Sequence, residues 1–403
     1  MKILIITQWF DPEPAFKGLL FAKELVKNGH EVEVVTGFPN YPEGKIYKGY
    51  KLSLYRKEVI DKIKIHRLYL YPNHDKSAFK RSINYISFFL SSFFGAILFT
   101  RKIDLIYSYH PPITTSLSSA LVGFLKRIPV VQDIQDLWPD TLPATGMINN
   151  KFILKLISAT CIFMYKLSTK IVVLSPGFKS TLISRGVPKE KIEVIYNWCD
   201  ENSIINFKNS HDDLPENGNL NILFAGNLGL AQDLPTIIHA AKILEKKSIP
   251  VNIIFLGDGV SKQDAVDLVK TQQIKNCYFI NRVPMNEVGY FLHKADALLV
   301  HLSDHNLFRI TIPSRTQSNL ATGKPIIMAV NGDSADLVRS ANAGMVCTPG
   351  DSIDLANTIE KMVSLKTEER MQLGKNGKNF YFSHLSLDHG VKKFISVFQE
   401  VLS

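Results

Sequence analysis

The sequence predicts an α/β protein built from two Rossmann-like parallel-sheet domains facing across a cleft. Three observations carry this. Short apolar runs of strand length alternate with longer amphipathic runs of helix period almost throughout. The chain has 403 residues, 45% of them hydrophobic, enough for two ordinary cores. The alternation breaks once, in the polar stretch 197–219 with Pro215, Gly218 and two adjacent acids, and then restarts. The expected division is 1–200 and 201–384, with a helix over about 385–403 packing back on the first domain.

In the first half, Ile3–Ile6 reads as a buried strand and is too short for a signal-peptide core. Phe16–Asn28 is an amphipathic helix closed by Gly29. Strands follow at Glu31–Val35, Ile63–Leu68, Leu105–Ser108, Val130–Val131, Ile171–Leu174 and Ile192–Tyr196. Helices are expected near Thr115–Phe124 and Phe152–Leu167, and a short one opens at Ser175-Pro176-Gly177. In the second half the strands are Asn221–Phe224, Val251–Leu256, Tyr278–Asn281, Ala297–Val300, Ile326–Val330 and Met345–Cys347. A helix covers Pro235–Glu245, and the tail from about Thr367 is helical.

The segment Phe308–Ala329 is the most informative. Pro313 and Ser314 read as a helix start, with Ser314 able to bond an orphan amide; Gly323 and Pro325 read as its stop. Arg315 falls in the first turn. Such an amino end attracts anions through its N–H groups and dipole, so a phosphate-bearing ligand is the natural candidate.

Charge is uneven. The net +10 comes wholly from residues 1–200, with 27 Lys+Arg against 16 Asp+Glu; residues 201–403 hold 20 against 21. The longest apolar stretch, Ile86–Phe99, is short of the roughly 20 residues of a membrane span. Lys76, Lys80 and Arg81 precede it, Arg101 and Lys102 follow, and Phe88 and Phe89 sit within it. It reads either as a helix packed on the sheet or as one that also dips into an anionic membrane surface. The four cysteines show neither metal-ligand nor CxxC spacing. The loop after the first strand lacks the GxGxxG of dinucleotide enzymes, no Walker lysine motif occurs, and no nucleic-acid recognition motif accompanies the basic half.

Several blocks then resemble a known family. They are Gly29-His30-Glu31-Val32 with Thr36–Pro42, Tyr109-His110-Pro111-Pro112, Asp136-Leu137-Trp138-Pro139-Asp140, Val173–Phe178, Phe224-Ala225-Gly226-Asn227, and Ile312-Pro313-Ser314-Arg315 with Gly323-Lys324-Pro325. In order and spacing, over nearly the whole chain, these resemble family-4 retaining glycosyltransferases of the GT-B fold. More narrowly, they are similar to WbuB-type L-fucosaminyl transferases of O-antigen or capsule assembly.

The resemblance implies a UDP-sugar donor held by the second domain, at Gly226, Asn227, Gln232, Gly257, Gly259, Arg282, Thr311, Ile312, Ser314, Arg315 and Ser318. It implies an undecaprenyl-diphosphate-linked saccharide as acceptor on the first domain, with Glu13, Lys17 and Asn40 flanking it. Asp136, His110 and Arg315 are the expected catalytic set: Asp136 orients the acceptor hydroxyl, and Arg315 answers the phosphate charge, with Arg309 or Lys17 as possible helpers. No metal and no further cofactor is expected. The enzyme would work in the cytoplasm on the inner membrane face, with Lys80, Arg81, Phe88, Phe89, Arg101 and Lys102 toward the lipid. Two departures stand out. The family's glutamate pair is Ile310 and Ser318 here, and its basic pair is Asn227 and Gln232. A nucleotide-sugar 2-epimerase and a non-catalytic nucleotide-sugar-binding partner remain open on the same frame.

Overall fold

The computed structural model describes residues 1–73, 78–144, 147–209 and 214–403. Lys76 therefore lies outside the described residues. The chain forms two compact units, 1–195 with 391–403, and 196–390.

The first unit holds an eight-stranded sheet: β1 (Lys2–Ile6), β2 (Glu31–Gly37), β3 (Tyr55–Ile60), β4 (Ile63–Leu68), β5 (Leu105–His110), β6 (Val130–Ile134), β7 (Lys170–Val173) and β8 (Ile192–Val194). Their order is β3-β4-β2-β1-β5-β6-β7-β8. All pairs are parallel except β3 with β4. The central strands are near-continuous Val, Ile and Leu because helices cover both faces. β3 was not expected. Its sequence, YRKEVI, lacks a buried face, and the charges on it suit a sheet edge that must not invite further pairing.

The first helix, α1 (Leu19–Lys27), starts three residues later than its periodicity suggests. The Asp11 carboxylate accepts the Leu19 N–H at 2.6 Å, holding the preceding proline-bearing segment as a loop. α2 (Ala78–Phe99) is longer than the apolar run that marks it, and α3 (Ile113–Lys126) follows. Phe88 is fully buried, so its expected place toward lipid is corrected: it faces the protein. A helix laid on a sheet must give one stripe to the core, and Phe88, Ser92 and Ala96 are that stripe. Phe89 is half-buried and stacks on Phe93.

The second unit holds a six-stranded parallel sheet of β9 (Leu220–Ala225), β10 (Val251–Leu256), β11 (Cys277–Ile280), β12 (Ala297–His301), β13 (Ile326–Ala329) and β14 (Gly344–Val346). Their order is β11-β10-β9-β12-β13-β14. The polar stretch before β9 contains a short helix, Glu201–Ile205, capped by Asp200 onto the Ser203 N–H. Each sheet has one place where the chain reverses its direction of travel, between β1 and β5 and between β9 and β12. Open α/β sheets bind ligands at the carboxyl ends of strands at such points.

The last helix, Leu387–Leu402, joins the first unit from residue 391 onward. Phe394 meets Phe21 and Tyr107 edge-on, at ring distances of 5.3 and 5.6 Å. Beneath these rings lies a buried ion pair. Lys17 Nζ is 2.5 Å from Asp133 Oδ2, both side chains fully buried. The Tyr107 hydroxyl donates to the same oxygen at 2.6 Å, and Gln135 Nε2 donates to Oδ1 at 2.5 Å. Burial pushes the Lys17 pKa down and the Asp133 charge opposes it. Breaking such a pair strands the surviving charge. Lys17→Met should cost roughly 3–5 kcal/mol in urea unfolding. A loss below about 1 kcal/mol would show that Asp133 does not depend on it.

Candidate functional site

In the first unit, the loops after β1, β2, β5 and β6 surround a cavity of about 280 Å³. Its walls include Trp9, Tyr41, Tyr109, Gln135 and Asp136. Trp9 and Tyr41 lie with ring centroids 4.9 Å apart. Aromatic walls with a few placed polar groups describe a site for a small, partly apolar molecule such as a sugar. Asp136 is half-buried and is the carboxylate on this wall; burial raises its pKa above the ordinary value. The Tyr109 hydroxyl is also held protonated, by burial first and by Asp133 and Asp136 next.

The other residues expected on this side are spent on construction. The buried Glu13 takes the N–H groups of Asn40 and Tyr41 on Oε1 at 2.7 and 2.8 Å, and that of Phe10 on Oε2 at 3.2 Å. It thereby ties the first loop to the second. Burial raises its pKa to about 7 despite those bonds. Asn40 is fully buried and donates to the Phe38 carbonyl at 2.9 Å. Lys17 borders the cavity, but its charge is matched by Asp133 rather than offered to a phosphate. His110 also departs from expectation. Its ring is buried against Trp138, 5.7 Å away, and burial drops its pKa to about 3. It is a neutral imidazole behind the cavity, while its neighbours Tyr109 and Pro111 line it.

In the second unit, Arg315 occupies the switch point between β9 and β12. Its guanidinium lies 4.4 Å from the centroid of the Phe224 ring, on β9. Gly226 follows, with φ of +132°, and a side chain there would meet Arg315 Nη2 at 3.2 Å. Arg315 Nη1 is buried with no hydrogen-bond partner among the described residues. Burial alone pulls its pKa down, to about 10. A buried cation without an opposing carboxylate is costly unless an anion completes it.

His301 closes β12 beside it and was not anticipated. Its Nδ1–H donates to the Gln232 carbonyl at 2.9 Å, so Nε2 carries the lone pair. Nε2 is buried and lacks a partner among the described residues. Burial lowers its pKa against the Gln232 hydrogen bond and the pull of Asp233, and Arg315 adds to the lowering. The signal available in the sequence was a lone histidine at the end of an apolar strand, which by itself points nowhere.

The glycine loops knit to each other. A side chain on Gly257, at φ +146°, would strike the Gly226 carbonyl, and one on Gly259, at φ +159°, the Leu228 carbonyl. Gln232 Oε1 accepts the Gly229 N–H at 3.0 Å and the Asn227 amide at 3.5 Å, so these two residues shape the loop rather than carry charge.

The helix Ser314–Thr322 ends on Gly323 in the left-handed region, as its sequence predicts. Its start is corrected: Pro313 holds the cap position and Ser314 makes no capping bond. Ser318 Oγ turns back to the Ser314 carbonyl, and Thr311 Oγ1 to that of Leu307. Ile312 is buried. Arg309 is paired with Asp304 at 3.0 Å, and so is not available as a helper to Arg315. Arg282 is exposed past the end of edge strand β11, two strands away from β9.

Two family models match the chain: glycosyltransferase family 4 over residues 19–203, and glycosyl transferases group 1 over residues 206–380. WcaI of Escherichia coli K12, named as a glycosyl transferase of colanic acid biosynthesis, is 24% identical over 375 residues, covering 88% of this chain and 90% of its own. Among solved structures, sucrose-phosphate synthase from Thermosynechococcus elongatus superposes with a TM-score of 0.69 at 15% identity, covering 99% of this chain and 98% of its own. HepE from Anabaena, crystallised with UDP and glucose, gives 0.66 at 16% identity over 99% and 100%. With one glycosyltransferase model on each unit, and with the two-sheet fold those structures share, the chain belongs to the glycosyltransferases of the GT-B type.

Proposed function

We propose that the protein transfers a sugar, with retention, from a nucleoside diphosphate donor held by the second unit to a saccharide hydroxyl presented by the first. The observation that carries this is Arg315, a half-buried arginine whose buried Nη1 has no hydrogen-bond partner among the described residues, beside Gly226 at the sheet's switch point. A diphosphate would complete it through charge-assisted hydrogen bonds, helped by the amino end of the Ser314–Thr322 helix. His301 Nε2, a neutral acceptor, suits a hydroxyl of the donor and offers an acceptor where the family's glutamates are Ile310 and Ser318. In the reaction, the bond from the anomeric carbon to the phosphate oxygen breaks and one to the acceptor oxygen forms. The acceptor's proton passes to the departing diphosphate oxygen as that bond breaks. Arg315 stabilises the developing phosphate charge without a metal, and Asp136 accepts the hydrogen bond of the incoming hydroxyl.

UDP is the favoured nucleotide, supported by the fold shared with HepE and its bound UDP. The sequence likeness to WbuB-type enzymes suggests an N-acetylated 6-deoxyhexose such as L-FucNAc. With the kinship to WcaI, it also suggests a role in bacterial surface polysaccharide such as O-antigen or capsule. The acceptor on this reading is an undecaprenyl-diphosphate-linked saccharide, its sugar seated against Trp9, Tyr41 and Tyr109.

Arg315→Ala should weaken UDP binding, measured calorimetrically, by roughly 10- to 100-fold, the worth of a charge-assisted bond. Unchanged affinity would remove Arg315 from the donor site. The Asp136 role predicts a pH effect whose sign follows from its raised pKa. The ionised carboxylate is the working form, so turnover should fall, as pH is lowered, at a pH above the ordinary Asp value of 3.8. Asp136→Asn should lower kcat by roughly 100-fold and erase that limb. A pH profile with the same acid limb in both proteins would assign it elsewhere.

A further inference from the structure

We propose that α2, α3 and the helix Lys151–Leu167 form one surface that lies flat on an anionic lipid bilayer. Among the described residues, α2 alone has the length and composition of a membrane span, with a mean hydropathy of 1.6 over its best window. Its packing rules that role out. Asn84 on α2 accepts from Gln8 Nε2 at 2.5 Å, and Ser92 Oγ donates to Ser118 Oγ on α3 at 2.9 Å. Gly95 rides so close to Leu68 on β4 that a side chain there would collide with it. Lys126, from α3, donates to the carbonyls of Ala96 and Thr100 at 2.9 and 3.0 Å, tying down α2's carboxyl end. A helix held this way along one side cannot pass through lipid.

The opposite side of α2 is apolar and exposed. Phe79, Ile83, Ile86, Leu90, Phe94 and Leu98 recur every three to four residues, with Phe79 74% and Leu98 64% exposed. The stripe is not alone. α3, which packs against α2, ends in exposed Phe124 and Leu125. The helix Lys151–Leu167 packs on α3 in turn, and exposes Phe152, Leu156 and Phe163 at helical spacing. An apolar patch running over three adjacent helices is larger than a soluble surface leaves uncovered without a partner.

Charge selects the partner. The three helices carry Lys80, Arg81, Lys126, Lys151, Lys155 and Lys166, and no Asp or Glu. A second copy docked through the same face would set like charges together, whereas an anionic leaflet answers both the apolar stripe and the lysines. The amino end of α2 also leads to the cavity. Asn84 is bonded to Gln8, whose neighbours Thr7 and Trp9 line the cavity, and Tyr85 beside it lies within electrostatic reach of Arg81, Tyr41 and Asp136. Arg81 Nε is buried with no hydrogen-bond partner among the described residues. The bilayer seat stands on exposure and charge alone. The entry of a lipid-borne acceptor beside Arg81 rests on the transferase reading.

Flotation with vesicles tests it. The full chain should float with phosphatidylglycerol-containing vesicles, hardly at all with phosphatidylcholine alone, and less as salt rises. Leu90→Asp, Phe124→Asp and Leu156→Asp each alter an exposed side chain on a different helix. Combined, they should weaken vesicle binding by at least roughly tenfold. UDP affinity and circular dichroism should stay unchanged in the triple variant; UDP binding separates failure of the seat from failure of the donor site. Equal flotation of the triple variant would overturn the proposal. So would binding that depends on Leu90 alone, protein that resists carbonate extraction, or a dimer in solution that the substitutions dissociate without any vesicle binding.

Discussion

A half-buried positive charge with no carboxylate paired to it among the described residues is the constraint around which the second unit is arranged. Arg315 has the Phe224 ring on one side and the Gly226 backbone on another. Its pKa is depressed by burial, with no acid offsetting the effect. An arginine stays charged all the same, so the cost is carried by the folded protein until an anion arrives. The features nearby fit that demand. Gly226 is a glycine where a side chain would press on the guanidinium, and the helix that carries Arg315 has no acid in its first turn. In the proposed reaction, the cost of folding around this cation would be returned as affinity for a diphosphate.

The first unit treats its buried cation in the opposite way. Lys17 is neutralised by Asp133, screened by Phe394 and tied through Gln135 to the cavity wall. That ion pair organises the core, and the neighbouring Asp136 is left as the carboxylate on the wall. Two aspartates three residues apart, one on β6 and one in the loop after it, thus diverge, one locked in structure and one facing the cavity, because only one of them meets a lysine.

Much of the architecture was legible from periodicity. The parallel strands stood out because strands buried on both faces must be apolar throughout, and β10 was read to the residue. The edge strand β3 was missed because an exposed edge has no such requirement. The helix stop at Gly323 was legible from chain chemistry, whereas the start was misjudged, since a serine beside a proline does not reveal which of them sits at the cap. At the site, the sequence marked Arg315, Asp136 and the glycine loops. It could not separate ligand-facing polar residues from structural ones. Glu13, Lys17 and Asn40 lie in the right loops, but their side chains are consumed in joining those loops. His301 and the aromatic wall were overlooked for the converse reason: their relevance comes from partners distant in sequence. Phe88 shows the same limit along a helix, where composition identified an apolar segment but could not say which stripe met the core.

The first unit is discontinuous: Phe394 and Phe398 complete an aromatic layer begun by Phe21 and Tyr107, with the whole second unit between them in sequence. During translation, the second unit must therefore be synthesised before the first can be sealed. Until then the rings over the Lys17–Asp133 pair stay uncovered, and the nascent first unit must wait, partly open, for residues made after the second. A chain cut short within the second unit would therefore leave the interior of the first accessible to water.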